Sequence, residues 1–237
     1  MAALLTAKAL RAGYGAGDVL QGIDIEIATG EIVAVLGRNG VGKSTLMKSL
    51  IGILPLRSGA IDYGGRNLTK ESADSRARQG IGYVPQGREI FPHMTVEENL
   101  RMGRLIRRDR SKAEAVRQDV YGYFPFLRER GAQRAGTLSG GQQEMLAIAR
   151  ALNGDPALLL LDEPSDGVQP SIVQEIGDFL VKFVAERAIA VLIVEQNIDL
   201  IQSVAGRAFV MDKGRFVAEL DRAQIQDTQT LSHHLSI

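Results

Sequence analysis

The residues most able to do chemistry stand together in stretch 32–46, IVAVLGRNGVGKSTL. Gly37, Gly42, Lys43 and Ser44 satisfy G-x-x-x-x-G-K-[ST], with Gly40 as a further glycine inside the loop. Such a loop curls its backbone N–H groups into a nest, and a helix beginning at Lys43 adds its own unpaired first amides. The chemistry is capture of a triphosphate: Lys43 reaches the β- and γ-phosphates, and the Ser44 hydroxyl ligates Mg²⁺. Asn39, Gly40 and Thr45 belong to the same wrap around the nucleotide. The competing reading is a glycine-rich turn that binds nothing. A chance match to the motif is expected in roughly one such chain in a hundred, and the β-branched run before it makes coincidence rarer still.

Other polar residues fall where phosphoryl transfer needs them. Asp162 and Glu163 follow the apolar run 157–161, so the first can hold Mg²⁺ and the second can polarise a water. On their own two such acids are an ordinary loop start, and the upstream phosphate loop reverses that preference. Gln86 closes the short run 81–84, from which it can reach a metal or an attacking water; alone it reads as a loop amide. Ser139-Gly140-Gly141-Gln142 is a second glycine turn into a helix, with Ser139 and Gln142 spaced as a capping box, and its helix N-terminus is a second anion site. Tyr14 sits among Gly13, Gly15 and Gly17, where its ring can stack flat on a base or simply pack in the loop.

The elements that must position these groups follow from periodicity. Residues 4–12 and 19–27 read as strands, the second alternating so that isoleucines line one face and acids the other. Residues 60–63, 81–84, 157–161 and 189–194 read as further strands, the last two buried on both faces. Residues 207–211 and 215–220, joined through Lys213-Gly214, read as a hairpin. Helices are expected from Lys43, from the capping boxes Thr95-x-x-Glu98 and Ser111-x-x-Glu114, from Ser139, and over 171–186 behind Pro170. Met145, Leu146, Ile148, Ala149 and Leu152 supply one apolar helix face. The fold class is α/β: a nucleotide core and small antiparallel β lobe from 1–87 and 151–237, with a helical lobe over about 88–150, as one domain. The segment after 220 reads as a polar tail, with His233-His234 solvated rather than metal-binding.

Composition narrows the partners. Lys plus Arg (28) equals Asp plus Glu (28), so no bulk positive field recruits nucleic acid, and the arginines of 101–110 read as a solvated helix face. There are no cysteines, which excludes disulfides and thiolate metal sites and fits a reducing, cytoplasmic setting without a signal peptide. No apolar run is long enough to span a bilayer. The apolar loop residues Ile90, Phe91, Pro92 and Met94, flanking His93, are either buried locally or offered to a partner.

Taken together, GRNGVGKS, LSGGQ (138–142) and LLLLDEP (158–164) resemble the ATP-binding cassette family over nearly the whole chain. The resemblance implies a P-loop ATPase core with ATP and Mg²⁺ as ligands. It implies that Tyr14 stacks on adenine, that Gln86 lies near Mg²⁺ and the γ-phosphate, that Asp162 holds Mg²⁺ and that Glu163 is the catalytic base. Ser139, Gly140 and Gly141 would contact ATP held by a partner subunit, so two chains, identical or related, would close head to tail over two ATPs. The resemblance also implies transmembrane permease partners and a peripheral position on the cytoplasmic side of the plasma membrane. YVPQGREIFP (83–92), TVEENL (95–100), DGVQPSI (166–172) and VEQN (194–197) look like the ATP-binding subunits of bacterial urea importers, with branched-chain amino-acid importers second. Gln196 stands where the family has its switch histidine, and Gln169 where it has an aspartate. A soluble cassette acting on ribosomes or DNA is disfavoured by the single cassette and the lack of a coiled-coil insertion.

Overall fold

Alternating burial separates two sheets. A computed structural model describes residues 3–106 and 113–235. Strands β1 (Ala3–Ala12) and β2 (Leu20–Ala28) pair antiparallel, and β4 (Ser58–Tyr63) and β5 (Arg66–Asn67) complete a sheet in the order β2-β1-β4-β5. On β2, Ile23, Ile25 and Ile27 are buried while Asp24 and Glu26 face water, as the alternation predicts. The second sheet runs β10-β9-β3-β8-β7-β6, from β3 (Ile32–Leu36), β6 (Ile81–Val84), β7 (Leu158–Asp162), β8 (Ala190–Glu195), β9 (Arg207–Asp212) and β10 (Arg215–Leu220). All but β10 are parallel, and β3, β7 and β8 are buried at every position.

The two faces of this sheet feed different cores. Val33, Val35, Leu158, Leu160, Leu192 and Val194 join the small sheet and helix α1 (Lys43–Ile51). Ala34, Leu36, Leu159, Leu161, Val191 and Ile193 join the helices of the opposite face, chiefly α6 (Gly140–Leu152), α7 (Pro170–Arg187) and α8 (Ile198–Val204). Between β6 and β7 the described residues contain no strand. They form α3 (Val96–Arg104), α4 (Ala113–Tyr123), α5 (Pro125–Glu129), a 3-10 turn and α6, whose apolar residues merge into the same core. The Thr95–Glu98 capping box is present; the Ser111 box falls outside the described residues.

Three departures from expectation have plain causes. Asp162 belongs to β7 itself, one residue past the expected strand end, because its backbone continues the ladder opposite Val194. The supposed polar tail folds as α9 (Arg222–Gln226), opened by an Asp221–Gln224 capping box, and α10 (Thr228–Leu235), anchored by fully buried Ile225 and Leu231. The side chains of His233 and His234 lie outside the described set. A further short helix, α2 (Ala73–Arg78), sends Arg76 beneath α1, where its guanidinium is buried and donates to the carbonyls of Ser49 (2.9 Å) and Leu50 (2.8 Å). Its other bonds go to the carbonyls of Glu71 and Thr69. Arg76 thereby caps the carboxyl end of α1. No helix among the described residues is long and apolar enough to cross a membrane.

Candidate functional site

Because β3, β6, β7, β8 and β9 are parallel, their carboxyl ends share one edge. That edge carries the glycine loop after β3, Gln86 after β6, Asp162 and Glu163 at the end of β7, and Gln196 after β8. Such an edge is where open α/β sheets bind ligands.

The loop's shape depends on two glycines. Gly42 has φ +117, which a side chain rarely tolerates, and at Gly37 a Cβ would stand 2.6 Å from the carbonyl oxygen of Met211. α1 starts directly after Gly42 with no side-chain cap and no acid in its first turn. α3 and α6, by contrast, close capping boxes through Thr95 and Ser139. The first amides of α1 are thus left for an external anion.

Strand parity aims the acids. Leu158 and Leu160 point toward α1, so Asp162, two residues on, does the same. Its Oδ1 accepts from the Ser44 hydroxyl at 3.0 Å and its Oδ2 from the Tyr83 hydroxyl at 3.2 Å. Burial raises the Asp162 pKa, a push that outweighs the two hydroxyl bonds, and the neighbouring Glu163 charge adds to it. Burial likewise raises that of Tyr83, reinforced by the Asp162 charge and hydrogen bond.

Glu163 departs from the strand with φ +51, a left-handed backbone that a non-glycine residue holds at a cost of about 1–3 kcal/mol. Its N–H donates to the Val194 carbonyl at 2.9 Å. This turn puts Oε1 2.9 Å from Lys43 Nζ and lets Oε2 accept from Gln86 Nε2 at 3.1 Å. The same Gln86 amide reaches Asp166 Oδ2 at 3.1 Å. Lys43 and Glu163 are both buried, and Lys43 also donates to the carbonyls of Gly37 (2.7 Å) and Arg38 (3.1 Å).

Lys43, Ser44, Gln86, Asp162 and Glu163 therefore converge. Asn39, Gly40 and Thr45 line the same loop and first turn. Tyr14 stands apart and half-exposed on the β1–β2 loop, whose turn Arg57 braces through the carbonyls of Gly15 (2.5 Å) and Ala16 (3.0 Å). Ser139, Gly140, Gly141 and Gln142 open α6, and Gln196 is exposed past β8. Sequence reasoning missed Tyr83 and Asp166 as partners of the acid cluster. It also passed over Glu195, whose buried carboxylate accepts from the backbone of Ser165, Gln196 and Asn197 and so ties the loop after β7 to that after β8. The one available signal was an acid ending an otherwise unbroken apolar strand.

The donors fit Mg²⁺. Ser44 Oγ and Asp162 Oδ1 are hard oxygens already in contact, and no group of three or more acids, histidines or cysteines among the described residues forms a cage suited to another metal. Mg²⁺ is characteristically held by one or two protein oxygens, with water and phosphate completing its shell.

Comparison with known proteins agrees with this geometry. Residues 20–166 match the family model described as ABC transporter. The chain is 43% identical over 204 residues to the high-affinity branched-chain amino acid transport ATP-binding protein BraG of Pseudomonas aeruginosa, covering 86% of this chain and 87% of that one. It is 35% identical over 212 residues to the probable branched-chain amino acid transport ATP-binding protein LivF of Archaeoglobus fulgidus, covering 90% and 89%. Among solved structures, the ADP conformation of an ATP-binding cassette of an ABC transporter superposes with a TM-score of 0.86 at 25% identity, over 98% of each chain. With a family model matched from β2 past the β7 acids and a relative this similar along most of its length, the chain belongs to the ABC transporter family as one of its ATP-binding, ATP-hydrolysing subunits.

Proposed function

We propose that this chain supplies the ATPase of a branched-chain amino-acid importer. The observation that carries the reading is the 43% identity, over most of both chains, to a relative named for branched-chain amino-acid transport; a second relative at 35% is named for the same substrate. The motif likeness alone favoured urea over branched-chain amino acids, and these relatives reverse that order. In the complex the chain works at the cytoplasmic face of the membrane against permease subunits, paired head to tail with a second copy or a related subunit. One chain carries one phosphate loop and one LSGGQ turn, so each ATP site is completed by the partner's turn.

In this reading the loop amides and Lys43 bind the phosphates of ATP, and Tyr14 receives the adenine. Ser44 and Asp162 would hold Mg²⁺, which when bound neutralises charge on the phosphates. Gln86 would orient the attacking water and Glu163 would take its proton, while Gln196 would offer the γ-phosphate region an amide without a titrating group. Lys43 must exchange Glu163 for phosphate oxygens on binding, which frees the carboxylate for that role.

The test is to purify the chain with its permease and substrate-binding subunits and measure ATPase stimulation. Leucine, isoleucine or valine should stimulate hydrolysis and urea should not; stimulation by urea alone would overturn the substrate assignment.

Docking gives a further expectation. Phe91 is 40% exposed although Asn99 clamps its backbone, accepting from the Phe91 N–H at 2.9 Å and donating to its carbonyl at 3.0 Å. Leu105 and Ile106, at the end of α3, are exposed too. Phe91→Asp should weaken co-purification with the permease, because a charge in an apolar contact is costly to desolvate. Hydrolysis by the isolated subunit should stay within about twofold, a change under 0.5 kcal/mol. Unchanged co-purification would remove this loop from the docking surface.

A further inference from the structure

The loop after β6 is held in an unusual way. Gly87, Arg88 and Glu89 have φ of +83, +72 and +42, so three consecutive residues are left-handed and two of them carry side chains. Backbone of this kind persists only where its surroundings over-determine it. Here the surroundings are helix α6, the signature helix in the sense that the LSGGQ turn (138–142) opens it. Arg150 donates from it to the carbonyls of Glu89 (2.8 Å) and Arg88 (3.3 Å), fixing the strained peptide units from behind.

The side chain of Arg88 returns the contact. Its Nε lies 3.3 Å from Glu144 Oε2, an ion pair whose hydrogen-bond alignment is poor. Its terminal nitrogens pack against Gly140, where a Cβ would stand 3.3 Å from one of them. One of those nitrogens also makes long hydrogen bonds, 3.4 Å each, to the carbonyls of Asp166 and Gly167. Glu144 is 3% exposed on the second turn of α6. An acid so buried is expensive unless a cation answers it, and Arg88 is the cation that does. One guanidinium thus touches three segments: its own strained loop, the opening of α6, and the loop after β7. Asp166, on that last loop, also accepts from Gln86, which in turn donates to Glu163.

We propose that Arg88 is a positioning residue for ATP hydrolysis: held by Glu144, it ties the opening of the signature helix to the loop bearing Asp166, and so keeps Gln86 and Glu163 in working register. The inference rests on the site reading above, in which Gln86 and Glu163 serve the chemical step. Arg88 touches neither directly. Its effect passes through Asp166 and Gly167, so it should appear in turnover and not in nucleotide affinity. Losing it lets the Gln86 amide drift, and small misplacements near a reacting group are costly in rate.

The charges around Glu144 set the assay conditions. Burial raises its pKa to about 7; Arg88 pulls the other way, and the charges of Glu195 and Asp166 raise it further. Hydrolysis is therefore compared at about pH 8, where the carboxylate is mostly ionised. Native protein, Arg88→Ala, Glu144→Gln and the double variant are assayed for kcat and KM, with direct titration by a fluorescent, non-hydrolysable ATP analogue and a thermal melt. Hydrolysis by the native protein tests the parent reading by itself; the comparison among variants tests Arg88. Arg88→Ala should lower kcat at least about tenfold while analogue affinity stays within about threefold. Glu144→Gln keeps the shape and removes the charge, so it should lower kcat in the same direction. In the double variant the two losses should not multiply, as expected of residues acting through one contact. Native-like kcat in a folded Glu144→Gln protein would overturn the proposal even if Arg88→Ala fails to fold, and so would losses that multiply.

Discussion

Lys43→Ala should remove nearly all nucleotide binding. The ammonium sits at the mouth of the uncapped first turn of α1, with the carbonyls of Gly37 and Arg38 and the Glu163 carboxylate around it. A cation already desolvated in this way has little hydration left to lose when phosphate replaces the carboxylate, so its attraction for the triphosphate is not discounted as a surface lysine's would be. Truncating one partner of a buried charge pair costs about 2–5 kcal/mol, so ATP affinity should fall by at least about 30-fold. The same deletion leaves Glu163 buried without its cation, and a thermal melt separates that loss of stability from loss of binding. A titration in which the folded variant keeps ATP affinity within about threefold would remove Lys43 from the phosphate site.

Glu163→Gln should do the opposite, keeping binding and losing chemistry. The amide has the size of the carboxylate and can still meet Gln86, but it cannot take a proton from water. Turnover should fall by at least about 10²-fold, the usual scale for a general base. The Lys43 contact adds a second expectation: with its competing carboxylate gone, Lys43 is freer for phosphate, so ATP affinity should hold or rise. Stalled before hydrolysis, the variant should accumulate with ATP as a head-to-tail dimer. Size exclusion showing only monomer with saturating ATP would count against that pairing, and residual turnover within about tenfold of native would remove Glu163 as the base.

How much of this was legible beforehand depends on how local each signal is. The glycine loop, the Ser139–Gln142 box and the buried strands declare themselves within a few residues, and parallel strands then force their carboxyl ends onto one edge. Strand parity even indicates which way Asp162 faces once its neighbours are known to be strand. What could not be read were contacts that exist only after the sheet closes. Tyr83 and Asp162 lie 79 residues apart, and the Arg88–Glu144 pair joins a loop to a helix with no shared pattern. The left-handed backbone of Glu163 was hidden for a different reason: positive φ is advertised by glycine, and here a glutamate holds it. The C-terminal helices were misread because their anchoring rests largely on Ile225 and Leu231, too few apolar positions to show a period.

Arg76 shows how far the site's dependence reaches. It lies at the opposite end of α1 from the phosphate loop, and nothing in the sequence of α2 suggests a role in catalysis. Yet it satisfies two of the last carbonyls of the helix whose first amides are proposed to bind phosphate, and it does so with a planar fork that lysine cannot reproduce. A collection of random variants sorted for nucleotide retention would therefore be depleted of changes at position 76 as well as at the motif. Ranked by distance from the ligand, that position would look neutral. On the proposed reading, tolerance to mutation should follow the axis of α1, so a distant arginine and a glycine of the phosphate loop should share one fate.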